Sequence, residues 1–271
     1  MEIDYRYSCW KDEYNYLLKD FSNKKIIMLY SGGKDSSLTL DYIVRAGEAF
    51  GFTFDVHTSA FPIHRYTAEE KEKIQTYWDN RGVDIIWHEP QQSDEILETA
   101  DNPCKKCQLT NKKLLNDILT GMGEDWDRLF VIAGYSLWDI VSYTIEHILN
   151  NIYTPHGQSL TEENKKRLIE TGQRFYPVLR MKEGYSVFRP LIKVGTTDIM
   201  KEIRRIGIPT LSTSCKFQEY RPKRHLMRYY EKMDMTFDYE QVLEFAKSLP
   251  HFPDISPYTL MKREEYFSKV F

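Results

Sequence analysis

No apolar stretch in these 271 residues approaches the roughly 20 needed to cross a bilayer, which excludes a spanning helix. The opening stretch, MEIDYRYSCWKDEYNYLLKD, lacks a basic region followed by an apolar one. It does not read as a secretory signal, and a cytoplasmic protein with no membrane contact is expected. An excess of basic charge is missing as well: 37 Lys and Arg face 40 Asp and Glu, for a formal net charge of −3. A nucleic-acid partner would need a local basic patch rather than a basic protein. There is no internal repeat and no low-complexity tract, and 41% hydrophobic with 28% charged residues is ordinary globular composition. Disorder and fibrous folds are excluded. Cysteine is scarce, with Cys9, Cys104, Cys107 and Cys215 alone. In a reducing compartment a close pair such as Cys104 and Cys107 points to metal or redox chemistry rather than to a disulfide.

At about 100–200 residues per domain, the length suits one large domain or a core with an appendage. Strand and helix patterns alternate through residue 150. Short apolar runs at 24–30, 52–58, 83–89 and 128–134 read as strands. Helical periodicity covers Asp35 to Ala49, 68–82, 105–121 and 138–151. This order predicts an α/β fold with a doubly wound parallel sheet. Residues 153–175 read as a polar excursion, 185–194 as a strand returning to the sheet, and 196–207 as a short helix ending at Gly207. From Ser214 the chain turns basic and aromatic, with Lys216, Arg221, Lys223, Arg224, His225 and Arg228 beside Tyr220, Tyr229 and Tyr230. The last 45 or so residues are expected to be helical.

The sharpest motif is Ser31-Gly32-Gly33-Lys34-Asp35-Ser36-Ser37, directly after the first strand. Two glycines permit a tight turn that aims successive N–H groups at one spot. The helix that follows adds its positive end. Three hydroxyls and Lys34 complete a cradle for phosphate or pyrophosphate. The plain alternative is a strand-to-helix turn capped by Asp35 or Ser36. Neither GxxxxGK[ST] nor GxGxxG is present at this position.

YSGGKDSS after a buried strand resembles the PP-loop ATP pyrophosphatases and their SGGxDS motif, over roughly residues 24–215. The resemblance implies a Rossmann-like PP-loop domain over 1–215, with an excursion at 153–184 and a helical extension over 216–271. It implies that ATP's pyrophosphate sits in the loop and that a substrate oxygen is adenylated. Asp35 is then a candidate catalytic residue. His57 and Thr58 close the second strand, where this architecture puts the adenosine.

Pro103-Cys104-Lys105-Lys106-Cys107 and the run to Asn116 resemble the tRNA 2-thiolation branch of that family. There a CxxC and one distant cysteine hold an iron–sulfur cluster, and Cys215 fits the distant position. Three thiolates suit a [4Fe–4S] cluster with one open iron, whereas a closed zinc site wants a fourth ligand, for which Cys9 or a histidine is available. Cys9 otherwise reads as an incidental residue, and Cys215 as a buried free thiol. Gly134-Tyr135-Ser136-Leu137-Trp138-Asp139 stands where relatives carry Gly-His-x-x-Asp-Asp. Asp139 could hold Mg²⁺ there or simply charge a helix start, and Tyr135 and Trp138 depart from the family pattern. Lys112, two turns beyond Cys104, points either to the nucleotide or to solvent. The basic segment Lys216 to Tyr230 either grips a phosphate backbone or forms a solvated helix face.

These features imply an ATP-dependent sulfurtransferase that adenylates an acceptor carbonyl and replaces its oxygen with sulfur from a cluster or a persulfide. The acceptor is a tRNA base or a smaller base or metabolite, and the donor a sulfur-carrying protein or sulfide. A homodimer is left open. The alternatives are an amide- or nitrile-forming PP-loop ligase with cysteine-bound zinc, a sulfonucleotide-reductase-like enzyme, and a non-catalytic nucleotide sensor.

Overall fold

The structure is a computed structural model and describes residues 5–88, 92–121, 126–152, 171–182, 184–248 and 254–270. Helix α1 (Tyr5–Glu13) precedes β1 (Lys25–Tyr30), α2 (Lys34–Phe50), β2 (Asp55–Thr58), α3 (Ala68–Asp79), β3 (Ile85–Ile86), α4 (Pro103–Thr120), β4 (Leu129–Ala133) and α5 (Leu137–Ile152). The chain continues through β5 (Val178–Arg180), β6 (Ser186–Phe188), α6 (Thr196–Ile206), α7 (Pro222–Lys232), α8 (Tyr239–Ser248) and α9 (Arg263–Val270). The expected strand–helix alternation through residue 150 is therefore the one that forms.

The six strands lie in the order β3-β2-β1-β4-β6-β5. All neighbours are parallel except β5 and β6, so the sheet is doubly wound with one antiparallel edge strand. That edge arises from a tight turn, in which the Met181 N–H donates to the Tyr185 carbonyl at 2.9 Å. At three residues, β5 is too short to show a period of two, and it falls inside the segment read as an excursion. Residues 153–170 of that excursion lie outside the described residues.

Three strands are shorter than expected: β2 begins at Asp55 rather than at 52, and β3 and β6 stop early for local reasons. At β3 the ladder stops after Ile86, where the backbone turns aside: the His88 N–H donates to Thr58 Oγ1 at 3.1 Å, and the Trp87 indole N–H is tied to Gln75 Oε1 at 2.6 Å. Glu89, the last residue of that predicted strand, is outside the described residues. After β6, Arg189 turns inward, and its guanidinium donates to Gln173 Oε1 at 2.6 Å and to the Tyr176 carbonyl at 2.9 Å.

Alternation along β1 divides the core. Ile26, Met28 and Tyr30 pack with Trp10 and Tyr14, with Leu38 and Ile43 of α2, with Trp78 of α3 and with Ile199 and Ile203 of α6. Ile27 and Leu29 face the other layer, formed by Leu115 and Leu119 of α4 with Tyr266 and Phe267 of α9. Successive strand residues point to opposite faces, so a run that is apolar throughout requires helices on both sides. Helix α5 is flanked by α8 through Leu243 and Ala246, and by α7 through Tyr230 against Trp138.

Phe267 is fully buried in the second layer. Phe267→Ala is expected to cost about 3–5 kcal/mol of unfolding free energy, as for other buried phenylalanines, read from denaturant titration.

Candidate functional site

Where the chain winds to one side from β1 and to the other from β4, the loops after these two neighbouring strands diverge and leave a crevice at their C-terminal ends. The 31–37 loop lies in that crevice. Gly32 has φ +66°, in the left-handed region that favours glycine, and Gly33 caps α2 in an extended conformation. Ser36 draws the loop closed: its Oγ donates to the Gly33 carbonyl at 3.0 Å, accepts from the Ser31 N–H at 3.1 Å and lies 3.0 Å from Ser31 Oγ. Ser37 Oγ lies 3.2 Å from the buried Tyr30 hydroxyl. Lys34 and Asp35 form a bidentate pair at 2.7 and 2.8 Å in the first turn.

Gly134 ends β4 directly against this turn. A Cβ there would lie 2.8 Å from Ser36 Cα and 2.9 Å from Ser36 N, too close for any side chain. Two turns of chain from different strands thus share one backbone contact. Just beyond it, Asp139 Oδ2 accepts from the Ser136 N–H at 2.8 Å and from Ser136 Oγ at 3.1 Å, while Oδ1 pairs with Lys223 of α7. Burial disfavours the Asp139 charge, but Lys223, Ser136 and the more distant Lys34 outweigh it, and the carboxyl lies below its usual range. The Lys223 ammonium stands where a magnesium ion would approach this carboxylate. As arranged, Asp139 holds a cation of the chain itself, and the expected magnesium would have to exchange with Lys223.

At the end of β2, His57 Nδ1 lies 3.0 Å from His88 Nε2, and the rings stack. Burial lowers the pKa of both, and the His57 value falls further through the proximity of His88, against a smaller opposing pull from Asp55. His57 Nε2 is buried without a hydrogen-bond partner among the described residues. His57, Thr58 and Ser59 line a cavity of about 180 Å³ with Leu29, Asn111 and Leu115. An unpaired imidazole nitrogen beside an apolar wall suits a flat, hydrogen-bonding ring.

The cysteine helix starts as its sequence dictates. Asn102 Oδ1 caps the Lys105 N–H at 2.9 Å and Pro103 takes the first helical position. Cys104 and Cys107, three apart, therefore share a face of the first turn. Cys104 Sγ donates to the Phe217 carbonyl at 3.3 Å, and Cys107 Sγ accepts from Gln92 Nε2 at 3.3 Å. Burial pushes the Cys107 thiol up; Gln92 and Arg221 oppose this, while Cys215 and Cys104 push it further. Cys215 thus joins the pair from a distant part of the chain. Cys9 is exposed on α1. Lys112 is directed elsewhere, donating to the Lys269 carbonyl in the last turn of α9 at 2.6 Å.

Among the described residues, no three His, Cys, Asp or Glu side chains are gathered as one metal ion would need. A zinc ion, with Zn–S near 2.3 Å, demands such crowding, whereas each thiolate of a multi-iron cluster binds its own iron and the sulfurs stay further apart. Thiols from one helix turn and from one distant segment that meets it at Phe217, rather than three ligands gathered at one point, suit the second donor set better than the first.

Two parts of the site were not singled out in the sequence. Lys223 is visible only as one cation among six. Glu70 is the closing residue of a capping box with Thr67, signalled by the Thr-x-x-Glu spacing. Its carboxylate also accepts from the Ser212 N–H at 3.0 Å and from Thr213 Oγ1 at 3.1 Å.

Gly134→Ala is expected to cost about 1–3 kcal/mol in denaturant unfolding, because the added methyl meets backbone rather than a movable side chain. The hydrogen bond from Ser212 above all holds the Glu70 carboxyl down to about 2, against 4.5 ordinarily. A depressed carboxyl pKa stabilises the fold above the unfolded value and ceases to do so as pH falls through the folded one. The melting-temperature gap between the wild type and Glu70→Gln should accordingly be widest above pH 4.5 and shrink toward pH 2.

No protein-family model matches the sequence, and no curated protein matches it. Among solved structures, the U34-tRNA thiolase NcsA from Methanococcus maripaludis, with its [4Fe-4S] cluster, superposes with a TM-score of 0.62 at 14% identity, over 92% of this chain and 82% of that one. The NMN synthetase from Francisella tularensis matches at TM-score 0.44 and 9% identity, over 90% of this chain and 94% of its own. The NH3-dependent NAD synthetase from Campylobacter jejuni, in complex with nitrate, matches at 0.44 and 12%, over 94% and 100%. The α/β fold expected from the Ser31–Ser37 loop is the fold observed, and it is shared with the thiolase.

Proposed function

We propose that this chain is an ATP-dependent sulfurtransferase of the PP-loop type. One observation carries the reading: the segment that holds Cys215 is bonded to the glycine loop through Leu211 and to Cys104 through Phe217, within a fold shared with a tRNA thiolase.

In this reading the Ser31–Ser37 loop and the start of α2 hold the ATP phosphates, with Lys34 supplying charge and Asp35 orienting it. The cavity at His57 and Thr58 takes the adenine. The acceptor's carbonyl oxygen attacks the α-phosphorus, and pyrophosphate departs with the electron pair of the broken bond. Lys223 and Lys34 are placed to offset charge on that leaving group. A sulfur nucleophile then attacks the activated carbon, and AMP leaves with the former carbonyl oxygen. A [4Fe–4S] cluster on Cys104, Cys107 and Cys215 would supply an iron without a protein ligand on which to hold that sulfur. Keeping both steps in one crevice protects the adenylate from water.

The acceptor is a tRNA base or a smaller base or metabolite. Arg65 lies within electrostatic reach of Cys215 and Cys107, and Arg221 within reach of Cys107, with Arg224 near Arg65, which suits a phosphate-bearing acceptor. A sulfur-carrying protein or sulfide is the donor, and the cytoplasm the compartment in which free thiols persist. Among the described residues, no helix is long and apolar enough to cross a membrane.

Anaerobically purified protein is expected to carry about four irons per chain with matching sulfide. Zinc alone would overturn the cluster and favour the ligase reading. Given ATP, sulfide and acceptor, the protein should yield thiolated acceptor, AMP and pyrophosphate in equal amounts; ATP hydrolysis without acceptor thiolation would refute the reading. Cys215→Ala should lower transfer by roughly 100-fold or more while leaving ATP affinity intact.

A further inference from the structure

Residues 211–217 form a strap without regular structure that is bonded to both the glycine loop and the cysteine helix. At one end, the Leu211 N–H donates to the Gly32 carbonyl at 2.8 Å, and the Leu211 side chain fills the space where a Cβ on Gly32 would be. In the middle, Ser212 and Thr213 are held by Glu70, and the Thr213 carbonyl accepts from Arg65. At the far end, the Lys216 N–H donates to His64 Nε2 at 3.1 Å, and the Phe217 carbonyl accepts from Cys104 Sγ at 3.3 Å. Cys215 hangs between the Thr213 and Lys216 anchors. It follows Leu211 by four residues, so at most about 14 Å of extended chain separates it from the phosphate loop.

We infer that Glu70 is a positioning residue for Cys215: by fixing the middle of this strap it makes the thiol's placement depend on the conformation of the phosphate loop. The inference rests on the proposed nucleotide site and deepens it. A strap anchored at only its two ends would absorb a movement of Gly32 by rotating its free backbone bonds. Anchored on Glu70, which is itself locked to Thr67 at the start of α3 through bonds of 3.0 and 3.1 Å, it has far less slack. Binding in the loop would then be felt at the thiol, and the arrangement of the thiols would be felt in the loop, since such coupling is reciprocal. Glu70 touches neither phosphates nor thiols.

The test uses the full-length, metal-free protein under reducing conditions. Labelling of Cys215 by N-ethylmaleimide is followed by peptide mass spectrometry, with and without a non-hydrolysable ATP analogue, and Cys9 serves as the internal control. In the wild type, saturating analogue should change the Cys215 rate by at least about fivefold. Glu70→Ala should reduce that response to within about twofold while the analogue still binds, and Glu70→Gln, which keeps one acceptor oxygen, should restore part of it. Because Glu70 also caps α3, the double variant Ser212→Ala/Thr213→Val removes the strap's side-chain donors with the cap intact; the Ser212 N–H bond to Glu70 remains, so its response should fall between those of the wild type and Glu70→Ala. A full response in both variants would mean direct shielding by nucleotide and would overturn the inference alone. So would a wild type that binds the analogue with no change at Cys215. Failure of the analogue to bind at all would remove the nucleotide reading and this inference together.

Discussion

The backbone contact between Gly134 and the first turn of α2 is the constraint on which the crevice depends. Two parallel strands lie side by side in any such sheet, but their following loops diverge only at the switch of winding direction. Here the end of β4 comes so close to Ser36 that no side chain is tolerated, and the loop after β1 is pressed into one shape. The Ser31, Gly33 and Ser36 bonds then hold that shape from within. A phosphate-binding turn needs this rigidity, because N–H groups that must be reoriented on binding lose part of their gain to entropy.

Charge in the crevice is arranged by paired groups rather than by a surplus. Lys34 is held by Asp35, and Lys223 by Asp139. Both carboxylates keep a lysine in place that can turn to a phosphate without crossing a large distance. On the other side of the site, Arg65 and Arg221 lie near thiols, so the two halves of the crevice differ in the partners their cations have: carboxylates near the loop, and thiols near α4. The strap of residues 211–217 runs between these halves and is bonded to both.

The C-terminal helices contribute to both ends of this arrangement. Helix α7 delivers Lys223 to Asp139, and α9 seals the face of the sheet opposite α2 with Tyr266 and Phe267 while its last turn takes up Lys112. The basic and aromatic segment is therefore divided in use: Tyr230 is buried against Trp138, whereas Tyr220 and Tyr229 remain exposed near the arginines.

Composition and periodicity alone determined the alternation of strands and helices through residue 150, because the central parallel strands β1 and β4 are buried on both faces and the helices beside them show an apolar stripe. The glycine loop was legible for a similar reason, since its chemistry lies within seven consecutive residues, as was the Cys104–Cys107 turn. What only the tertiary structure decided are the long-range meetings. Lys223 finds Asp139 across 84 positions of sequence and Lys112 finds Lys269 across 157. Glu70 meets Ser212 across 142. Local pattern reports which face of an element is apolar, but not which distant segment will cover it or which polar atom will be left facing a partner. Those outcomes follow from how the layers close around the sheet, and a one-dimensional pattern carries no record of that closure.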